Sequence, residues 1–495
     1  MDTKRSLPKS ALAAACAASA VTLAGFLPGS TATAQPVTPI QHVVVIYLEN
    51  HSFDNVLGFW CDQIAAGTIA RLDGCPHGGM PSSVTLSNGA VVTPSVDPDI
   101  VPNISHTVPA QLAAMHIVNG LPKMDGWQNI TGPTGTCAAS TGYQCISGYQ
   151  PAQIPNITGL ATKFAISDMT FSMADSPSWG GHLYTAMAST DGFTGDNPVG
   201  ATGVTAGSGW GCDSHRVAPW VNPHGGIQQV PSCIPDYSLN PVQYPNGGAF
   251  ERTPAAYHAS IFDELSAAGL PWRIYGSAAP NDAGGGGSNL SGGWAWSICP
   301  SLADCLDTSQ HANLVDNSEF FTDATAGTLP ALSIVTAGGT ADGGVAASCH
   351  NLYSMTACDN YIGQLVQAVE TSPDWASTAI FITFDDYGGF YDQVPPGLNR
   401  DFTQRGPRTP LIIVSPYAKP GYTDTTATTF AGILAYTEHN FGLGALGPND
   451  NYAYRFGNAF DYTQVPLKPV HLVTRPLPAS ARHIHLTPAL ANDPS

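Results

Sequence analysis

Four stretches of this chain are so apolar and so β-branched that they fit only the interior of a sheet covered on both faces. They are HVVVIYL at His42–Leu48, LSIVT at Leu332–Thr336, AIFITF at 379–384 and LIIV at Leu411–Val414. A strand with one wet face alternates apolar and polar residues; these runs do not alternate, which is the pattern of parallel strands buried under helices. Between them, 255–268, 360–370 and 430–440 carry helical patterning, so the chain reads as α/β, a mostly parallel sheet flanked by helices. The stretch from about 200 to 310 departs from this rhythm. Its clustered Gly, Trp and Cys, with a glycine run at 284–287, predict a loop-rich insertion carrying one helix.

The 495 residues allow one large layer of this kind. Lys and Arg total 17 against 36 Asp and Glu, a formal charge of −19. Such a field repels nucleic-acid phosphates, so no nucleic-acid partner is expected, and any phosphate site must carry its own local positive charge. Lys4, Arg5 and Lys9, an apolar stretch over 11–27 and Ala32-Thr33-Ala34 read as a signal peptide over 1–34. No later run is long enough to span a membrane, so the mature protein is expected to be secreted or periplasmic. Of 11 Cys, Cys16 leaves with that segment. The rest fall in sequence neighbours, Cys61 and Cys75, Cys137 and Cys145, Cys212 and Cys233, Cys299 and Cys305, Cys349 and Cys358. Five local disulfides are the simplest arrangement, and no C-x-x-C metal pair exists.

Ligands of open α/β sheets gather beyond the carboxyl ends of the strands. Two apolar runs end there in oxygen donors, the first in Glu49-Asn50-His51-Ser52-Phe53-Asp54 and the third in Asp385-Asp386-Tyr387-Gly388-Gly389. On neighbouring parallel strands Glu49, Asn50, Asp385 and Asp386 would meet at one edge, where adjacent buried carboxylates need a compensating cation. The donor set suits a hard or borderline divalent metal ion. Each cluster alone reads equally as a cap or polar turn; their occurrence on two strand ends favours the metal. A third segment, Asp175-Ser176-Pro177-Ser178-Trp179-Gly180-Gly181-His182, supplies a hydroxyl. Pro177 suits a first helical position after a Ser176 or Asp175 cap, placing Ser178 at a helix N-terminus and His182 one turn on, provided the helix continues through the two glycines. Backbone N–H groups there suit a phosphoryl oxygen, while a second capping hydroxyl is the plain alternative for Ser178. His106 and His350 sit in turn-rich contexts and are natural proton donors, although a lone His is more often structural. The Gly-x-Ser-x-Gly elbow of serine esterases is absent.

Together these segments resemble the bacterial phosphoesterase family of secreted acid phosphatases and non-specific phospholipases C, whose core resembles alkaline phosphatase. The matching pieces are HVVVIYLENHSFDNVLGFW (42–60), SHTVPAQ with PKMDGW (105–127), SPSWGGHLY (176–184), GWGCDS (209–214), TLPALSIV (328–335), WASTAIFITFDDYGGFYDQVPP (375–396), RTPLIIVSPYA (408–418) and YTEHNFGL (436–443). The resemblance implies an alkaline-phosphatase-like fold, a single catalytic domain over 35–465 and a tail over 466–495. It also implies a metal held by Glu49, Asn50, Ser178, Asp385 and Asp386, Ser178 as nucleophile, and functional histidines at His106 and His350. Two positions depart from the family: His182 stands where Arg or Asn-Arg is common, and Gln393 replaces the His of the phrase FYDHV.

The expected chemistry is two-step phosphoryl transfer through a phosphoseryl intermediate, with His182 and helix N–H groups steadying the phosphoryl oxygens and His106 or His350 protonating the leaving group. The substrate is a small phosphate ester or a phospholipid. The Asp-Asp pair and the lack of an extension after the core lean towards monoesters. Trp210, Trp220, Trp272, Trp294 and Trp296 either fill a core or receive lipid chains. A non-catalytic, metal-stabilised secreted binding protein is the alternative of another class. A sulfatase or phosphodiesterase on the same core is a third, but Ser178 lacks the Cys/Ser-x-Pro-x-Arg context of sulfatases.

Overall fold

The apolar runs are joined by shorter strands that their length hid. In chain order the strands are β1 (His42–Leu48), β2 (Ala165–Ser167), β3 (Trp272–Gly276), β4 (Leu314–Asp316), β5 (Leu332–Thr336), β6 (Thr378–Phe384), β7 (Leu411–Val414) and β8 (Thr423–Asp424). They form one sheet in the order β4-β3-β5-β1-β6-β7-β2-β8. The computed structural model describes residues 36–132, 134–203, 210–212, 214–222, 224–236, 253–276, 297–336, 340–341 and 345–483. The signal segment expected over 1–34, the glycine run at 284–287, Trp294, Trp296 and the end of the tail lie outside them.

β1 is flanked in parallel by β5 and β6, with Val45 opposite both Ile334 and Phe381. Every residue of β6 is buried, as expected of a strand covered on both faces. β7 corrects the sequence reading, because Leu411–Val414 runs antiparallel to both β6 and β2. A buried apolar run looks the same in either direction; the connection decides. No helix lies between β6 and β7, only the short stretch Arg405–Arg408, so the chain re-enters the sheet from the end at which it left.

Six helices matter for the site: α1 (Pro155–Lys163), α2 (Ser178–Met187), α3 (Ile261–Ala267), α4 (Ser318–Ala326), α5 (Met355–Glu370) and α6 (Ala431–Phe441). α1 and α4 pack on α5, while α2 packs on α6 and α3. The helix expected over 255–268 starts later, because the Ser260 N–H and hydroxyl both donate to Asp263, fixing the boundary at Ile261. The helix expected from 360 starts earlier, at Met355, where the Ser354 hydroxyl accepts from the Ala357 N–H. The stretch 200–310 is not all peripheral: Arg216–Val221 and Ile227–Pro231 form a hairpin, but Trp272–Gly276 is an inner strand of the main sheet. Trp210, Trp220 and Trp272 are buried, so these three fill the core. All five local disulfides form as the spacing suggested. No described helix is long and apolar enough to cross a membrane.

Candidate active site

Two strand ends deliver the acidic residues in matched register. Leu48 faces Phe384 as the last pair of the β1–β6 ladder, and the Asp385 N–H still donates to the Leu48 carbonyl at 3.0 Å. Glu49-Asn50 and Asp385-Asp386 therefore leave the sheet side by side. Asn50 takes a left-handed backbone, φ 62°, which Asn tolerates better than most residues. Its N–H then donates to Asp385 Oδ1 at 2.8 Å, which also accepts the Asp386 N–H at 2.7 Å. The Gly388 N–H donates to Asp386 Oδ1 at 2.7 Å. Gly388 has φ 63°, and a Cβ there would lie 1.8 Å from the Asn50 carbonyl oxygen, so the turn closes only without a side chain. Backbone amides thus fix one oxygen of each aspartate and leave the other for the site.

α2 supplies the hydroxyl and a histidine. It runs unbroken through Gly180 and Gly181, and a Cβ on Gly181 would lie 2.9 Å from the Asp385 carbonyl oxygen. The glycines let the helix lie directly on the end of β6. Ser178 Oγ is 3.2 Å from both Asn50 Oδ1 and Asp386 Oδ2. One hydroxyl proton cannot serve both acceptors at once. Pro177 occupies the N-cap, one position before the expected one, and no side chain caps the helix at that residue. The Trp179 N–H is taken by Asn197 Oδ1 at 2.9 Å, so it is not available to a phosphoryl oxygen.

His182 meets the carboxylates. Its Nε2 is 3.1 Å from Glu49 Oε1, the Tyr47 ring stands edge-on to it at 4.7 Å, and ligand atoms of Glu49, His182 and Asp385 all lie within 4.8 Å of one another. Glu49 Oε2 and Asp385 Oδ2 are buried without a hydrogen-bond partner. Burial pushes the Glu49 carboxyl up to about 8, the Asp385 side chain lowering it and the Asp386 charge raising it. Asp385 is raised well above the carboxylate range by burial, then by Glu49 and Asp386. Crowded carboxylates with orphaned oxygens are the electrostatics of a cation site. The geometry thus puts His182 among the candidate metal ligands, a place the sequence had given only to oxygen donors.

The other two histidines arrive through the Gly388-Gly389 turn. The Glu49 N–H donates to the Ser348 carbonyl, and Asn351 Nδ2 to the Gly388 carbonyl, both at 3.0 Å, which holds the loop of His350 beside the site. A Cβ on Gly389 would lie 2.7 Å from Ile104 Cγ2, so the segment of His106 packs on the same turn. The two rings are 6.3 Å apart and both are buried. His106 Nδ1 donates to the Ile104 carbonyl at 2.8 Å and His350 Nδ1 to the Asn351 carbonyl at 2.9 Å. A carbonyl can only accept, so these bonds fix the tautomers and point Nε2 to other duty. His106 Nε2 is buried and has no hydrogen-bond partner.

Three features escaped the sequence. Tyr47 and Tyr387 carry buried rings against His182 and His106. Arg408 is fully buried, its Nε 2.9 Å from Asp392 Oδ1 and a terminal nitrogen 2.8 Å from Asp54 Oδ1, tying the loop after β1 to the loop after β6. Gln393 belongs to this lock, its N–H donating to Asp54 and its side chain to the Gly79 carbonyl. A lone Arg in the apolar phrase RTPLIIV, with Asp54 and Asp392 in the two specific motifs, was the available signal.

A model described as the Phosphoesterase family matches residues 40–444. The "Non-hemolytic phospholipase C" of Burkholderia pseudomallei (strain K96243) is 28% identical over 256 residues, covering 41% of this chain and 34% of that protein. The "Non-specific phospholipase C1" of Arabidopsis thaliana is 23% identical over 404 residues, covering 77% of this chain and 62% of that protein. The chain thus spans less than two thirds of the length of these relatives. Among solved structures, a protein in the alkaline phosphatase superfamily from Vibrio parahaemolyticus is similar at 10% identity with a TM-score of 0.31, covering 60% of this chain and 62% of that one.

Proposed function

The chain belongs to the Phosphoesterase family, and from that premise we propose that it is a secreted, metal-dependent phosphoester hydrolase with Ser178 as nucleophile and small phosphomonoesters as substrates. The observation that carries this reading is the position of Ser178 Oγ, 3.2 Å from both Asn50 Oδ1 and Asp386 Oδ2, beside carboxylates too crowded to stay charged alone. The donors fit a divalent ion: orphaned oxygens of Glu49 and Asp385, the Asp386 carboxylate, the Asn50 amide oxygen and the His182 imidazole. A divalent ion bound there would lower the pKa of the Ser178 hydroxyl and offset phosphoryl charge.

The chain's own residues account for the remainder. Ser178 Oγ attacks phosphorus in line, forming the Oγ–P bond as the ester P–O bond breaks, and gives up its proton to the carboxylate cluster. The departing alkoxide takes the Nε2 proton of a doubly protonated imidazole, which keeps its Nδ1–H on the backbone carbonyl before and after; His106 is placed for this and His350 is its neighbour. Water then attacks the phosphoserine and gives a proton to the same imidazole Nε2 as the Oγ–P bond breaks; the carboxylate cluster returns its proton to Ser178 Oγ, and inorganic phosphate leaves. Tyr47 and Tyr387 stand edge-on to the His182 and His106 rings and keep them in place. The five disulfides suit an oxidising compartment, which supports secretion.

A second reading, cleavage of phospholipid headgroup diesters, is favoured by the names of the relatives. The buried setting of Ser178, Glu49 and Asp385 favours a slim terminal phosphate over a bulky diester. A panel of p-nitrophenyl phosphate and phosphatidylcholine, assayed before chelation, after chelation and after metal add-back, decides between them. Monoester turnover that chelation abolishes and metal restores supports the first reading; release of diacylglycerol at a comparable rate overturns its substrate class. Hydrolysis of no ester at any pH overturns the enzymatic reading itself.

A further inference from the structure

Further along α2 the Tyr184 side chain is almost completely buried, yet its hydroxyl has no hydrogen bond of ordinary geometry, with the Thr429 side chain as its neighbour. Tyr184 lines a cleft of about 510 Å³ whose walls include Arg400, Arg405, Thr428, Thr429 and Tyr452. None of the residues assigned to the Ser178 centre lines it.

Two arginines line this cleft in a chain whose formal charge is −19. Among the described residues no carboxylate comes within ion-pair distance of Arg400 or Arg405, whereas Arg273 and Arg475 have one each and Arg408 has two. The carboxylate closest in sequence, Asp401, accepts from the Asn449 side chain and from the Thr403 N–H and hydroxyl. Burial pushes the Arg405 guanidinium down, the neighbouring Tyr184 side chain raises it and the charge of Arg400 lowers it again, so the two like charges sit near each other with no ion-pair partner among the described residues. Arg405 Nε donates to Asn399 Oδ1 at 3.1 Å, which orients its fork. Planar guanidinium forks of this kind match the oxygens of phosphate and carboxylate.

The lip is aromatic. The Arg400 guanidinium lies 5.3 Å from the centre of the Tyr452 ring, and Phe402 is 82% exposed although its backbone is held at φ 67°, a conformation that a bulky residue seldom adopts. A surface that holds an aromatic ring out in water beside two unpaired guanidiniums offers a stacking face next to an anion seat.

We propose that this cleft is a second binding site, for an oxyanion carried on a flat apolar body, with Arg400, Arg405 and the Tyr184 hydroxyl on the oxyanion and Tyr452 and Phe402 on the flat part.

The test is calorimetric titration of the full-length, metal-loaded protein with phenylphosphonate, a carbon–phosphorus analogue with no ester bond to cleave. Two binding events are expected, one lost on chelation and the other lost in Arg400→Gln/Arg405→Gln. Arg400→Gln alone, at an exposed position, should weaken the second event about tenfold, as expected for one charge-assisted contact; it serves if the double variant does not fold. Inorganic phosphate should bind the second site several-fold more weakly than phenylphosphonate. A single event that survives chelation and disappears in the arginine variant also supports the site, even where the Ser178 centre binds nothing. Both events persisting at wild-type affinity in Arg400→Gln and in any folded double variant, or a single event that chelation alone removes, overturns it, and equal affinity for phosphate and phenylphosphonate overturns the flat body.

Discussion

Gly181→Ala is the sharpest probe of how α2 meets the sheet. The added methyl would lie 2.9 Å from the Asp385 carbonyl oxygen and 3.2 Å from the Tyr47 hydroxyl. An unstrained carbon-to-oxygen contact is about 3.3 Å or more, so helix and strand end must part by roughly 0.4 Å. Overpacking of a tight site costs about 1–3 kcal/mol, and Ala recovers about 1 kcal/mol of helix propensity, leaving a net destabilisation of roughly 0–2 kcal/mol. The catalytic effect should be larger in proportion. Ser178 and His182 ride on the same helix, and since a misplacement of about 1 Å can cost about a hundredfold, a shift of this size should cost about tenfold in kcat/KM. Gly159 is the control, a glycine in α1 with open space around its added carbon. Gly159→Ala should therefore stabilise the fold by about 0.5–1 kcal/mol and leave turnover unchanged. Urea denaturation and p-nitrophenyl phosphate kinetics on the two variants give the comparison. If Gly181→Ala keeps wild-type kcat/KM and gains stability as Gly159→Ala does, α2 does not rest on the Asp385 carbonyl and the close approach described above is wrong.

Arg408→Met should cost about 3–5 kcal/mol in urea unfolding, because it strands Asp54 and Asp392 as buried charges; adding Asp54→Asn and Asp392→Asn should recover much of that loss. Metal affinity should rise with pH. With Glu49 pushed up to about 8 in the metal-free protein, proton and cation compete for its oxygens. Each pH unit below that value should weaken Mn²⁺ binding at least about tenfold, since the raised Asp385 carboxyl competes for the cation as well, as followed by titration between about pH 6 and 9; a flat profile would place the cation elsewhere. His106→Asn should lower kcat/KM by roughly 10²–10⁴ on alkyl phosphates and by much less on p-nitrophenyl phosphate, whose leaving group needs no proton; equal losses on both would assign His106 a structural role.

The long-range layout was legible because it rests on residues whose types admit few settings. His42–Leu48 and 379–384 could only be buried strands, and Glu49-Asn50 and Asp385-Asp386 at their ends then had to meet once the strands were parallel neighbours. The disulfides followed from short loops. What the sequence hid was set by partners far away. The direction of Leu411–Val414 depends on its connection, not on its composition. Ala165–Ser167 and Leu314–Asp316 are too short to show a pattern. The place of His182 beside Glu49 depends on the angle at which α2 meets the sheet, which Gly180 and Gly181 permit but do not announce. Arg408 reads as one basic residue among 17 until its two carboxylates, from separate loops, are seen around it.

The account depends most on Ser178 as the atom that takes the phosphoryl group. Acid quenching during turnover of a ³²P-labelled monoester, followed by peptide mapping, reads this directly. Label approaching one phosphate per chain on the peptide carrying Ser178, absent from Ser178→Ala and from chelated protein, is the predicted result. Steady turnover in Ser178→Ala, or label on any other residue, would contradict it.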